Sequence, residues 1–133
     1  MVSRWPVLVT LAVEAADVDH AGMLTEAGVE RLFASVRTTY FDRCSTVDES
    51  ELELRATQVR IGDAPATASV TVSVSVVEVF PERFTMNALV RPASEPGTAA
   101  AAMCSLALAG GGETSTAIRD EFIALAHDAR HFH

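Results

Sequence analysis

Residues Asp17 to Tyr40 read DVDHAGMLTEAGVERLFASVRTTY. In the second half of the stretch Val29, Leu32, Phe33, Val36 and Tyr40 fall at i, i+3, i+4, i+7 and i+11, and so draw one apolar stripe along a helix. Glu30, Arg31, Arg37 and Thr38 fall off that stripe. The first half is a short loop holding two carboxylates, Asp17 and Asp19, with His20 beside them. Asp19 is therefore delivered just upstream of a helix N-terminus, where unpaired backbone N–H groups and the positive end of the helix dipole face outward. Acids in that place commonly cap the helix. Oriented N–H donors next to a carboxylate also suit acyl transfer: the donors polarise a carbonyl while the carboxylate attacks it or activates a water.

The flanking sequence supplies a sheet for this helix to lie on. Trp5 to Glu14 alternates, with Trp5, Val7, Val9, Leu11 and Val13 on one face, and reads as a first strand. The helix is expected to end near Cys44, and the polar run Ser45 to Ser50 reads as a loop. Four more strands follow over Glu51–Ile61, Ala66–Phe80, Arg83–Arg91 and Thr98–Ala109. The third strand is the clearest: Val70, Val72, Val74 and Val76 alternate with serines and a threonine. At Val76-Val77 the alternation slips by one, which predicts a bulge. Thr98–Ala109 is so rich in alanine that composition alone permits a helix, but its place after three strands and the Gly110-Gly111-Gly112 stop favour a buried strand. Ser115 to His133 forms a second amphipathic helix, with Ile118, Phe122, Leu125 and Ala129 on one side. The order gives an α+β fold, one long helix against an antiparallel meander.

The 133 residues suit one domain over 1–133, with 49% hydrophobic and 21% charged residues and no low-complexity linker. A net charge of −8 argues against non-specific binding to nucleic acid or to an anionic membrane surface. All ten basic residues are arginine, so Schiff-base chemistry and a phosphate-binding lysine are excluded. Cys44 and Cys104 form no metal motif and read as free thiols. His127 and His131 stand four apart on a helix but lack a third ligand in register, so no metal is expected. The apolar run after Arg4 is interrupted by Pro6 and followed by Glu14, which fits a strand better than a secretory leader. No stretch is long enough to span a membrane as a helix, and the cytoplasm is the expected compartment.

Asp17-Val18-Asp19-His20-Ala21-Gly22, the helix after it, and the aromatic pair Tyr40-Phe41 near the helix end together resemble the 4-hydroxybenzoyl-CoA thioesterase-like branch of the hotdog-fold acyl-CoA thioesterases. The resemblance covers the element order over essentially the whole chain, while the motif is short. It implies a curved antiparallel sheet of about five strands wrapping a long central helix, with a C-terminal helix added. It further implies hydrolysis of an acyl-CoA or acyl-carrier-protein thioester without a cofactor, by a homodimer or homotetramer. Asp19 falls on the catalytic aspartate of the branch, and Gly22 on its loop glycine. The N–H groups near Leu24 to Glu26 stand where the family polarises the thioester carbonyl. His20, Gly22, Met23, Leu24 and Thr25 would line the substrate. Arg60 and Arg91, with Arg55 and Arg83, would supply cations for the CoA phosphates. Glu26 is the alternative carboxylate, since other hotdog thioesterases take their base from the helix itself. Relatives often carry asparagine or tyrosine where this chain has Thr25 and Glu26, and proline where it has His20. Two other readings stay open: a non-catalytic module that binds acyl-CoA or an acyl carrier, and a hotdog dehydratase, whose aspartate-to-histidine spacing this chain does not reproduce.

Overall fold

The structure, a computed structural model, describes residues 7–131, with side chains over 7–126. Trp5 of the expected first strand and the side chains of His127 and His131 lie outside the described residues. The elements run β1 (Val7–Ala12), α1 (Glu26–Asp42), β2 (Leu52–Ile61), β3 (Ser69–Val79), β4 (Phe84–Pro92), β5 (Ala100–Leu108) and α2 (Thr116–His131). Short 3-10 turns at Ala15–Asp17 and Glu49–Glu51 precede α1 and β2.

The five strands make one antiparallel sheet in the order β1-β3-β4-β5-β2. The expected meander holds for β3, β4 and β5 only. β2 pairs with β5, not with its successor β3, so the connection from Ile61 to Ser69 crosses the sheet from one edge strand to the other side. Gly62 makes that departure possible. Its N–H donates to the Ala99 carbonyl at 2.8 Å, and a Cβ there would stand 2.1 Å from the Thr98 oxygen. Thr98–Ala109 is a strand, pairing with β4 and β2 together.

Alternation decides which side of the sheet is covered. Val70, Val72 and Val74 on β3, Met86, Ala88 and Val90 on β4, and Ala100, Ala102 and Cys104 on β5 point to one face and are buried. The stripe of α1, Val29, Leu32, Phe33, Val36 and Tyr40, lies against them and is inaccessible to solvent. Each such side chain withdrawn from water contributes about 1.5–3 kcal/mol, so this single face holds most of the fold's driving force. The slip at Val76-Val77 is a register shift between Val76 and Glu78, which turns the end of β3. A second shift lies between Leu54 and Ala56 on β2.

At the far end of α1 an aromatic group forms the seat for α2. Tyr40, Phe41, Phe84 and Phe122 stand with ring centroids 4.9–6.2 Å apart. Ile118 joins them in the core. The Glu121 carboxylate then fastens α2 to the segment after α1. It accepts hydrogen bonds from the backbone N–H groups of Ser45 and Thr46 and from both hydroxyls.

Candidate functional site

The loop between β1 and α1 is shaped by its two aspartates, which do different work. Asp17 closes the 3-10 turn. Its carboxylate accepts from the Glu14 N–H at 2.8 Å and from the Arg31 guanidinium, through Nε at 2.7 Å and through a second, short contact from Nη2. Arg31 also meets Glu14 at 3.3 Å and the Ala12 carbonyl at 3.3 Å. The Arg31 hydrogen bond, opposed by burial and helped by the Glu14 N–H, holds the Asp17 carboxyl below the usual carboxylate range. The Asp17 carbonyl accepts from Thr25 N–H at 2.9 Å and from the Thr25 hydroxyl at 3.2 Å. Asp17 is thus the structural acid that its place in the sequence suggests.

Asp19 is exposed and organises the turn. Its Oδ1 accepts from Ala21 N–H at 2.9 Å and Met23 N–H at 3.0 Å, while Oδ2 receives no hydrogen bond among the described residues. Its own N–H donates to Met23 O, and its carbonyl accepts from Gly22 N–H. Gly22 turns the chain with φ at 81°, a conformation that costs glycine nothing. One carboxylate oxygen is therefore anchored by the backbone and the other is left open to solvent.

Thr25 caps α1: its Oγ1 accepts from Gly28 N–H at 3.0 Å. The cap leaves the N–H groups of Glu26 and Ala27 without an acceptor among the described residues. Of the donors expected over Leu24 to Glu26, the Thr25 N–H is taken by the Asp17 carbonyl, so the open set is shifted toward the first turn of the helix. Gly28, which the sequence reading passed over, allows this assembly. A Cβ on it would come 2.2 Å from the Asp17 oxygen. The helix start can touch the loop only because that position has no side chain.

The other expected site residues divide. His20, next to Asp19 in the chain, and Glu26, at the start of α1, are exposed, and Met23 is half-buried. Leu24 is buried and its side chain belongs to the core. The Thr25 hydroxyl is already committed to the cap at Gly28 and the Asp17 carbonyl. Arg60 and Arg91 occupy outward positions on the sheet face opposite α1, paired with Ala101 and Thr71. They lie toward the end of the sheet that carries the Asp19 loop: Ala66, in the connection that follows β2, donates its N–H to Gly22 O at 3.0 Å. Arg55 pairs with Glu53 at 3.7 Å and Arg83 stacks 4.5 Å from the Phe80 ring centre, both toward the opposite end. The group of four arginines thus resolves into two near the loop and two remote from it.

No protein-family model matches the chain, and no curated protein matches it. Solved structures do. A thioesterase from Thermus thermophilus, complexed with coenzyme A and Zn, is 27% identical and superimposes with a TM-score of 0.78, over 92% of this chain and 96% of that one. A gentisyl-coenzyme A thioesterase is 13% identical with a TM-score of 0.69, covering 88% of this chain and 99% of the other. A thioesterase superfamily protein from a Jannaschia species is 15% identical with a TM-score of 0.73, covering 92% of this chain and 84% of that one. The chain has the hotdog fold, and the resemblance to hotdog thioesterases read from the sequence holds.

Proposed function

We propose that the chain hydrolyses an acyl-CoA or acyl-carrier thioester, with Asp19 as nucleophile or general base. The observation that carries this reading is the asymmetric setting of Asp19. Two backbone N–H groups fix one oxygen and leave the other free, immediately ahead of the helix start at Glu26 and Ala27. A thioester carbonyl seated on those N–H groups would gain electrophilicity as negative charge develops on its oxygen. The free Asp19 oxygen then either attacks the carbonyl carbon, giving an anhydride that water opens, or takes a proton from an attacking water. The thiolate leaves and is protonated from solvent. The Thermus thermophilus thioesterase bound to coenzyme A supports CoA as the carrier.

The site is completed by a second copy. Asp19 is exposed in the isolated chain. β2 is an edge strand whose Leu54 and Ile61 are 47% and 37% exposed. An edge strand of ten residues with unpaired backbone groups and two exposed large aliphatic side chains asks for a covering strand, and a second copy of the chain provides one.

The test is release of free thiol from a panel of aryl- and alkyl-CoA thioesters by wild type and Asp19→Asn. Activity that drops by about a hundredfold or more in the variant, the scale of a lost acid–base group, supports the assignment. Activity that survives in Asp19→Asn but is lost in Glu26→Gln moves the carboxylate to the helix. Absence of hydrolysis with retained CoA binding would instead describe a binding module.

A further inference from the structure

Arg31 holds more of the Asp19 loop than its place off the apolar stripe suggests. It makes ion pairs to both Asp17 and Glu14. From the second turn of α1 it grips the end of β1 at the Ala12 carbonyl, the start of the 3-10 turn at Glu14 and the end of that turn at Asp17. The Asp17 side chain it meets is 3% exposed. A buried ion pair is weak evidence for stability, since well-packed apolar groups of the same volume serve a fold as well. What such a pair does supply is a fixed geometry, because the guanidinium fork meets a carboxylate in one plane through two donors at once.

That grip sits at the base of a short ribbon. Val18 and Leu24 form an antiparallel bridge flanked by two rungs: the Thr25 N–H donates to Asp17 O at 2.9 Å, and the Asp19 N–H to Met23 O at 2.8 Å. Asp17 and Thr25 make the base. There α1 fixes Asp17 twice, by the Arg31 fork on its carboxylate and by Gly28, against which its backbone lies. Asp19 and Met23 make the far end, where Asp19 Oδ1 collects the Ala21 and Met23 N–H groups. The first two turns of α1 therefore carry the open N–H groups of Glu26 and Ala27, the bare backbone of Gly28 and the guanidinium of Arg31. Donors and carboxylate are both set against one rigid body. Asp19 lies two residues, about 7 Å, beyond the clamp. A small swing of the ribbon at its base thus moves the carboxylate by about 1 Å, a displacement that costs roughly a hundredfold in rate.

We infer that Arg31 is a positioning residue for hydrolysis: by gripping Asp17, and not by contact with substrate, it sets the distance between the Asp19 carboxylate and the N-terminus of α1. This rests on the thioesterase reading and names the residue on which the reach of Asp19 depends.

The experiment compares wild type, Arg31→Lys and the double variant Asp17→Asn/Arg31→Gln in three readouts: kcat and KM for acyl-CoA hydrolysis, the thermal midpoint, and hydrogen exchange at the Ala21 and Met23 N–H groups. Lysine keeps the neutralising charge without the fork, and the double variant leaves no unpaired buried anion, so both are expected to fold. Per folded molecule, kcat should fall by about tenfold or more in both, with KM within about twofold of wild type. The Ala21 and Met23 amides should exchange faster by about the same factor, while those of Val29 to Tyr40 keep their protection. A kcat that follows the thermal midpoint, so that a variant with the wild-type midpoint has the wild-type kcat, overturns the inference in favour of a purely structural pair. A raised KM with kcat unchanged overturns it in favour of direct contact between Arg31 and substrate. Unchanged exchange at Ala21 and Met23 overturns it as well. Should wild type hydrolyse no thioester while both amides still loosen in the variants, the hold of Arg31 on the loop stands and the thioesterase reading falls.

Discussion

Two aspartates separated by one residue, Asp17 and Asp19, show how little sequence distance separates an acid with both oxygens bound from one with an oxygen open to solvent. Asp17 has both oxygens engaged by donors and titrates low. Since its folded pKa is depressed, its contribution is complete above the unfolded value near 4 and is lost as pH falls through the folded one. Asp17→Asn should therefore cost about 2 kcal/mol at neutral pH, allowing for the half-exposed Arg31. Its thermal midpoint should also fall less steeply than that of wild type below about pH 4, which a calorimetric pH series would show. Tyr40 gives the opposite case. Its hydroxyl is buried with no partner among the described residues, and burial, with Cys44 and Glu121 nearby, raises its pKa far above the ordinary tyrosine value. Tyr40→Phe should gain about 1 kcal/mol in a denaturant titration, because it removes an unmet polar group and keeps the ring contacts. The roles of Asp17 and Asp19 were readable as a pair of possibilities. Their division depended on Arg31, which the sequence places only as off the apolar stripe.

Among the elements, the long helix and the bulge in β3 were legible because each is a break in, or a persistence of, a simple period. The stripe from Val29 to Tyr40 became the buried side of α1, and the doubled valine became the register shift. The pairing of β2 was not legible, since alternation says which face is buried but not which neighbour is chosen. Gly28 was missed for a related reason: close approach of a helix to a loop leaves no mark on periodicity. Gly28→Ala should force the loop off the helix start and lower stability by several kcal/mol, given a contact far inside van der Waals distance; urea unfolding would measure it. The fastening of α2 makes a further prediction. Burial works to raise the Glu121 pKa, but the Thr46 hydroxyl, the Ser45 and Thr46 N–H groups and the Ser45 hydroxyl outweigh it and hold it at about 2. The clamp thus persists in acid well below the unfolded carboxylate value and opens as pH drops through about 2. Glu121→Gln should weaken it by about 1–2 kcal/mol at pH 7, loosening α2 before the sheet, as seen by amide exchange over residues 116–126.

For the molecule as a whole, the two sides of the sheet differ in cover and in charge. The covered side is a core shared by α1, β1, β3, β4 and β5. The other is an uncovered surface whose three middle rows carry no acid, on a chain of net charge −8. On the proposed reading the edge at β2 is the place for a second copy. Replacing Leu54 and Ile61 together by glutamate should convert the assembly to monomer in sedimentation analysis, with activity lost alongside. Sheet composition and element order made the fold recoverable from the sequence. The pairing at the edges was not, because alternation says which face is buried and not which strand lies beside it.

The strand order also dictates how the chain comes together in time. β3, β4 and β5 pair with immediate neighbours across short turns, whereas β1 joins β3 only across α1 and β2, and β2 joins β5 only across β3 and β4. Closing such loops costs entropy before it returns any contact, so the three-stranded unit is the natural nucleus and the two edges are late additions. Asp19 follows β1, the strand whose pairing spans the longest stretch of chain. The chemistry proposed for it is thereby coupled to completion of the fold: a chain caught part-way, with its meander formed and its edges loose, holds a hydrophobic half-sheet but no assembled carboxylate loop.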